Sequence, residues 1–371
     1  MALAIFSHET HIDFVGFRKI AYAISCITAL IGLVAILLNG GLKYGVDFTG
    51  GVIVQIAFEQ SIPDEQVKTA LEDVNLPGLI VQQVDTDNRN YMLRFSVSDE
   101  STQELRQRVT DTLHKTLPNN KFTLQRIESV GPKVGSDLRN MAIEAVFYAV
   151  LLIAVYISGR FEHSWITAGV MVAVLYGAVY GVSYLGLSKL WGVFLGLIIT
   201  FVSCWKLKLN FALGATLALV HDVIITVGLL TLLNIEIDLN VIAALLTLVG
   251  YSINDTIVVY DRIRENLRNI PHDGNIKPTM ESVINVSVNH TLARTVMTSG
   301  TTLLASLALY FLGGNVIHSF ALTITLGIIF GTFSSVFVAS PILIAFGNVD
   351  FYHTKVSQKV EFERPGEHGV V

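Results

Sequence analysis

Leu239-Asn-Val-Ile-Ala-Ala-Leu-Leu-Thr-Leu-Val-Gly-Tyr-Ser-Ile-Asn-Asp-Thr-Ile-Val-Val-Tyr260 decides the fold class. It is long enough to cross a bilayer core, which takes about 20 apolar residues, and carries one acidic side chain, Asp255. The rest of the chain has the same character. Of 371 residues, 52% are hydrophobic and 15% charged, against about 25% charged for a soluble domain. Mean hydropathy is +0.57. The solvent for most of the chain is therefore lipid. A net charge of −5 and the lack of a long basic run leave no electrostatic footprint for nucleic acid. Cys26 and Cys204 lie in apolar runs, where they read as soft packing residues rather than a disulfide.

Further apolar runs fall at Ile20–Leu38, Met141–Ile157, Trp165–Leu187, Trp191–Trp205, Phe211–Leu233, Thr295–Leu312 and Ser319–Phe346, predicting about eight crossings. The first is too long for a signal-peptide core and is followed by Asn39-Gly40-Gly41, so it reads as an uncleaved anchor. Lys and Arg collect on the cytoplasmic side of membranes. An even number of crossings puts Arg18/Lys19, Arg160, Lys206/Lys208, the loop from Arg262 to Lys277, and Lys355/Lys359 on that one side. Both termini are then cytoplasmic and residues 40–137 external.

The external segment reads as a small α+β domain of order βαββαβ, the ferredoxin-like split motif. Gly51–Phe58 alternates and is β-branched, and Pro63–Asn75 has helical spacing. Leu79–Asp85 and Tyr91–Val97 are strands around a polar hairpin, Thr102–Leu117 is an amphipathic helix, and Phe122–Val130 closes the set. It contains no phosphate loop, no metal-ligand cluster and no nucleophile–base spacing, so it reads as a binding or force-transmitting module, not an enzyme.

Chemistry is therefore sought inside the lipid, where ionisable side chains are costly and mark function by default. Asp255 lies in the polar island Gly250–Thr256 with Ser252 and Asn254; Arg294 opens the next run, which holds a second island from Thr298 to Thr302; His221-Asp222 interrupts a third. Asp255 and Arg294 fall at similar depth and could form an ion pair that holds the carboxylate ionised, with protonation releasing the arginine. The competing readings are a kink cap or interhelical hydrogen bonds for the acids, and a snorkelling anchor for Arg294.

Several ordered stretches resemble one family. Tyr44-Gly-Val-Asp-Phe-Thr-Gly-Gly51 is similar to the DFxGG element of the SecD/SecF proteins, and Val130-Gly-Pro-Lys-Val-Gly135 to their VGPxxG element. Ala218–Val223, Leu245–Asn266 and Thr291–Gly300 resemble the SecF branch. The resemblance implies a multi-pass subunit of the bacterial inner membrane that uses the proton-motive force to complete export of unfolded polypeptides. It implies no catalytic residue, metal or cofactor beyond the proton gradient. The implied partners are a SecD-like protein, the SecY/SecE/SecG channel, YajC and YidC. It places proton coupling on Asp255 and Arg294, leaves Asn254, Ser252, Thr298, His221 and Asp222 as supporting polar candidates, and makes Asp47, Phe48, Gly50 and Gly51 structural. A proton-driven small-molecule or lipid exporter, or a passive scaffold, is the alternative.

SecF is similar to a six-helix plan, whereas residues 164–208 here add two apolar runs. The expected organisation is an N-terminal anchor (1–39), the external domain (40–137), a second crossing (138–163), an inserted hairpin (164–208), the remaining core crossings (209–347) and a tail (348–371). An inserted pair preserves the sidedness of everything after it. Arg160-Phe161-Glu162 and Lys208–Phe211 read as two halves of one interrupted junction. The loop turn Pro271–Gly274 reads as a tolerated insertion.

Overall fold

The computed structural model describes residues 10–72, 76, 78–84, 87–95, 102–162, 165–184, 189–270, 278–349 and 352. The turn at Pro271–Gly274 and the tail lysines Lys355 and Lys359 lie outside them. The chain divides into two compact units.

One unit contains residues 42–143 and 236–242. A one-turn helix α2 (Val46–Thr49) precedes strand β1 (Gly51–Phe58), helix α3 (Asp64–Glu72), strands β2 (Ile80–Gln83) and β3 (Asn90–Phe95), helix α4 (Thr102–Thr116) and strand β4 (Phe122–Val130). The sheet is antiparallel with order β2-β3-β1-β4, the expected βαββαβ topology. Alternation places Val52, Val54, Ile56 and Phe58 on the buried face, where Val52, Val54 and Ile56 pair with Phe95, Leu93 and Tyr91. Val67, Leu71, Leu105, Val109 and Leu113 from the two helices close the core at helical spacing.

Two motifs read separately in the sequence meet here. Gly50 and Gly51 have φ of +75° and +137°, a region open to glycine and rarely to other residues. A Cβ on Gly50 would stand 2.7 Å from Pro132 Cα, and one on Gly135 2.9 Å from Gly50 N. The DFTGG turn thus packs backbone to backbone on the VGPKVG turn, with Phe48 buried beneath. The following helix starts at Pro132 rather than at the expected residue 138, because proline suits the first turn of a helix. Residues Glu236–Ile242 also belong to this unit, which no sequence pattern signals. Tyr44 forms a parallel bridge with Ile237, Arg94 pairs with Glu236, and the Asp47 carboxylate accepts the Leu239 amide at 3.0 Å.

The other unit contains residues 1–41, 144–235 and 243–371. Its helices are α1 (Arg18–Leu38), most of α5 (Pro132–Glu162), α6 (Trp165–Tyr184), α7 (Lys189–Lys206), α8 (Asn210–Leu232), most of α9 (Leu239–Arg268), α10 (Met280–Leu312), α11 (Asn315–Ser334) and α12 (Ser340–Phe346). A π-helical turn, Ser335–Ala339, joins the last two. Among the described residues six spans are long and apolar enough to cross a membrane: α1, α5, α8, α9, α10 and Val316–Phe346. The inserted segment supplies α6 and α7, about 30 and 27 Å long at 1.5 Å per residue.

Small residues set the closest helix contact. Gly32 on α1 and Gly228 on α8 face each other so tightly that a Cβ on either would come within 2.7 Å of the other's Cα. The core below contains Phe161, Phe211 and Tyr260, with Phe161 stacked on Phe211 at 5.5 Å and Tyr260 edge-on to both. Phe161 and Phe211, which flank residues 164–208 in sequence, are thus in contact. Tyr260 donates to the Ala339 carbonyl at 2.9 Å, and Pro341, which lacks an amide proton, accounts for the break in helical pairing there. Residues 12–18 dock on α10, where Asn285 and Asn289 hydrogen-bond Val15, Asp13 and Ile12, and Arg18 pairs with Glu281.

Candidate functional site

The polar islands of α8, α9, α10 and α11 converge in the interior of the helical unit. In lipid a carboxylate needs donors from the protein, and each acid here has them. Asp255 is 3% exposed, and its Oδ2 accepts the Ser299 hydroxyl of α10 at 3.0 Å. Ser299 in turn accepts from Thr332 of α11 at 2.7 Å. Asp222 is 1% exposed: its Oδ2 accepts Ser252 of α9 at 2.5 Å and Ser334 of α11 at 2.8 Å. Its Oδ1 lies 2.9 Å from His221 Nδ1.

The glycines of α11 make this possible. A Cβ on Gly327 would collide with Leu248, and one on Gly331 would sit 3.1 Å from Ser252 Cβ and 3.6 Å from Asp222 Oδ2. Close approach of α11 to α9 brings Ser334 and Thr332 within reach of the two carboxylates.

Of the residues singled out in the sequence, Asp255, Asp222, His221 and Ser252 thus lie within these buried networks. Thr298 bonds back to the carbonyls of Arg294 and Thr295 and also acts on the Asp255 carboxylate as a hydrogen-bond donor. Asn254 and Arg294 are exposed. The ion pair expected between Asp255 and Arg294 is not formed: the carboxylate's partner on α10 is Ser299, and Arg294 acts on it only through its longer-range field. Arg294 precedes Ser299 by five residues, which is about 7.5 Å along the helix and about 140° around it. Ser299 belongs to the polar island from Thr298 to Thr302, whereas Thr332 and Ser334 are not among the residues singled out in the sequence. Their signal was the cluster Gly331-Thr-Phe-Ser-Ser335, polar and small inside an apolar run.

The sequence matches the family described as Protein export membrane protein SecD/SecF, C-terminal, over residues 108–191 and 187–349, and the SecD/SecF GG Motif over residues 35–62. It is 39% identical over 336 residues to Protein translocase subunit SecF of Desulfurispirillum indicum, covering 90% of this chain and 91% of the relative. It is 35% identical to the SecF of Thermodesulfovibrio yellowstonii, covering 91% and 96%. The chain belongs to the SecF family.

The solved structures agree with the SecF fold. SecDF of Thermus thermophilus, titled a translocon-associated membrane protein, superposes with a TM-score of 0.64 at 32% identity over 91% of this chain. SecDF in a super-membrane-facing form gives 0.51 at 30% identity over 95%. The chain spans 39% and 40% of those two longer chains. This SecF-family chain is a multi-pass membrane protein. The two matched segments overlap at residues 187–191, within the stretch 164–208, and the GG-motif match covers Asp47, Phe48, Gly50 and Gly51, of which Phe48 and Gly50 pack against the VGPKVG turn.

Proposed function

We propose that this chain is a proton-coupled accessory subunit of the bacterial Sec protein translocase, working in the inner membrane beside a SecD-like protein. The observation that carries the reading is the Asp255 network. A carboxylate buried among helices, held by the Ser299 hydroxyl and backed by Thr332, is a site whose charge state sets the packing of α9, α10 and α11. A proton from outside neutralises Asp255 and frees Ser299; its release restores the carboxylate and draws Arg294, one face away on α10, toward it. Rotation of α10 is the motion that exchanges the two partners. The stretch of α10 considered membrane-spanning is only 17% buried in this chain, and Arg294 lies on its open surface. A SecD-like helix bundle suits that surface.

In this reading both termini are cytoplasmic and residues 40–137 face the export side, where an unfolded polypeptide leaves the SecY/SecE/SecG channel; YajC and YidC are further partners. No cofactor other than the proton gradient enters the cycle, and the chain is not an enzyme. Relatives named for protein translocation do not favour the exporter or scaffold readings.

The test is proton-driven export in inverted membrane vesicles. Asp255→Asn and Arg294→Met are expected to co-purify with the SecD-like protein and the channel at normal yield yet to lose the part of export that a proton gradient drives. Full gradient-driven export by Asp255→Asn vesicles would sink the proposal.

A further inference from the structure

The second buried acid has no part in that cycle as written, and its surroundings give it one. Asp222 is reached from three helices: His221 on α8, Ser252 on α9 and Ser334 on α11. From α1, α7 and α12, which also pack on α8, no described ionisable side chain acts on the carboxylate. On α9 the ionisable groups nearest Ser252 in sequence are Tyr251, directly beside it, whose hydroxyl is buried without a hydrogen-bond partner among the described residues, and Asp255, three residues beyond. The imidazole of His221 is 13% exposed. Its Nδ1 is committed to Asp222, and its Nε2 is buried without a hydrogen-bond partner among the described residues. With Nδ1 donating to the carboxylate, Nε2 is the basic nitrogen of the ring, and it has nothing to accept from.

We propose that His221 and Asp222 form a second proton-binding site of the bundle. His221 Nε2 takes the proton, Asp222 is the counter-ion, and occupancy is coupled to Asp255 through Ser252 and the Thr332–Ser334 turn of α11. The inference rests on the proton-coupled reading above and extends it.

The charge balance runs in its favour. With one proton, on Nδ1, the pair carries a net charge of −1 in a medium that solvates it poorly; with a second, on Nε2, an imidazolium faces a carboxylate and the net charge is zero. One N–H bond forms on loading and the same bond breaks on release, so the step needs no co-reactant other than water on each side. A carboxylate with a full cationic partner depends less on its two serines. Ser334 has a second acceptor at hand, the Gly331 carbonyl at 3.1 Å. Its hydroxyl can turn from Asp222 to that carbonyl at the start of the π-helical turn, a kind of local irregularity frequent at functional sites. Thr332, two residues earlier, holds Ser299 against Asp255, so the same stretch of α11 senses both acids.

A purely structural role would leave Asp222→Asn silent, because the amide oxygen still accepts both serines. The experiment uses the full chain with its SecD-like partner in lipid nanodiscs, and follows histidine nitrogen NMR signals and the carboxyl bands of pH-difference infrared spectra. The expected result is a histidine nitrogen signal that responds to pH. It should be absent in His221→Gln and altered in both Asp222→Asn and Asp255→Asn. Gradient-driven export should fall about tenfold or more in Asp222→Asn and His221→Gln with complex yield unchanged. A His221 signal that does not titrate, or titrates alike with and without Asp222, overturns the inference. So does a signal that answers sodium but not pH, which would make the three oxygens a cation site. If Asp255→Asn loses gradient-driven export while both variants of this pair export as the parent does, this inference alone falls. If Asp255→Asn also exports fully and no carboxyl band titrates, both readings fall.

Discussion

Replacing Asp47 by alanine removes one of two carboxylates at the start of α9, the helix that bears Asp255. Asp238 is the ordinary cap, its Oδ1 accepting the Val241 amide at 2.8 Å, and Asp47 reaches in from the DFTGG turn to accept the Leu239 amide at 3.0 Å. A lost capping acceptor costs about 1 kcal/mol, and a negative charge near a helix N-terminus contributes about 0.3–1 kcal/mol more. The sum, about 1–2 kcal/mol, is a factor of about 5–30 in local opening. Hydrogen exchange read by mass spectrometry on the peptide from Glu236 to Val241 should therefore accelerate by that factor in Asp47→Ala. Asp47→Asn, which keeps an acceptor and loses the charge, should recover about half the effect in free energy. Peptides from β1 and β3 should exchange as before, since their ladder does not involve Asp47. Exchange of the 236–241 peptide within about twofold of the parent would refute the view that the DFTGG turn clamps this helix.

Gly228→Leu should drive α1 and α8 apart and lower stability by about 1–3 kcal/mol, read as an earlier unfolding midpoint in detergent. Gly250→Ala should be tolerated, because nothing lies within 4 Å of its added methyl. The docking of residues 12–18 on α10 should depend on pH through Asp13, whose carboxyl is held below the ordinary aspartate value of 3.8, first by the Gly16 amide and then by Asn285. A lowered folded value means the stabilisation is complete at neutral pH and is lost as pH falls through that value. A spin label at Ile12 should stay immobilised at neutral pH and loosen only below the usual carboxylate range.

The sequence carried most of the fold because lipid and alternation leave strong periodic marks. Apolar run length located α1, α8 and α9 to within two residues except at α9's polar end, and period-two burial located β1 and β3. It carried less of the site. Asp255 and Asp222 stand out as charges in apolar runs, but their partners are serines and threonines, which look like packing residues until Gly327 and Gly331 bring α11 onto α9. The separation of Asp255 from Arg294 was hidden for a related reason: depth along a helix can be counted from sequence, whereas the 140° around α10 depends on which face the helix turns inward. The share of residues 236–242 in the sheet-bearing unit was illegible because it rests on one bridge, one ion pair and one cap, none of which imposes a pattern.

Helices α6 and α7 lie beside a core that closes without them. Phe161 ends α5 and Phe211 begins α8, fifty residues apart in sequence, yet their rings stack at 5.5 Å with Tyr260 packed against both. The core thus closes between the two ends of the stretch that holds α6 and α7, and α6 and α7 pack chiefly on each other. Tyr260 also fixes the π-helical turn through Ala339, so the junction that tolerates the insertion is continuous with the turn beside Ser334 and Asp222. Truncating Phe161 would therefore disturb more than the hairpin's anchorage: it would loosen the wall that holds Tyr260, and with it the segment of α11 on which both buried acids depend.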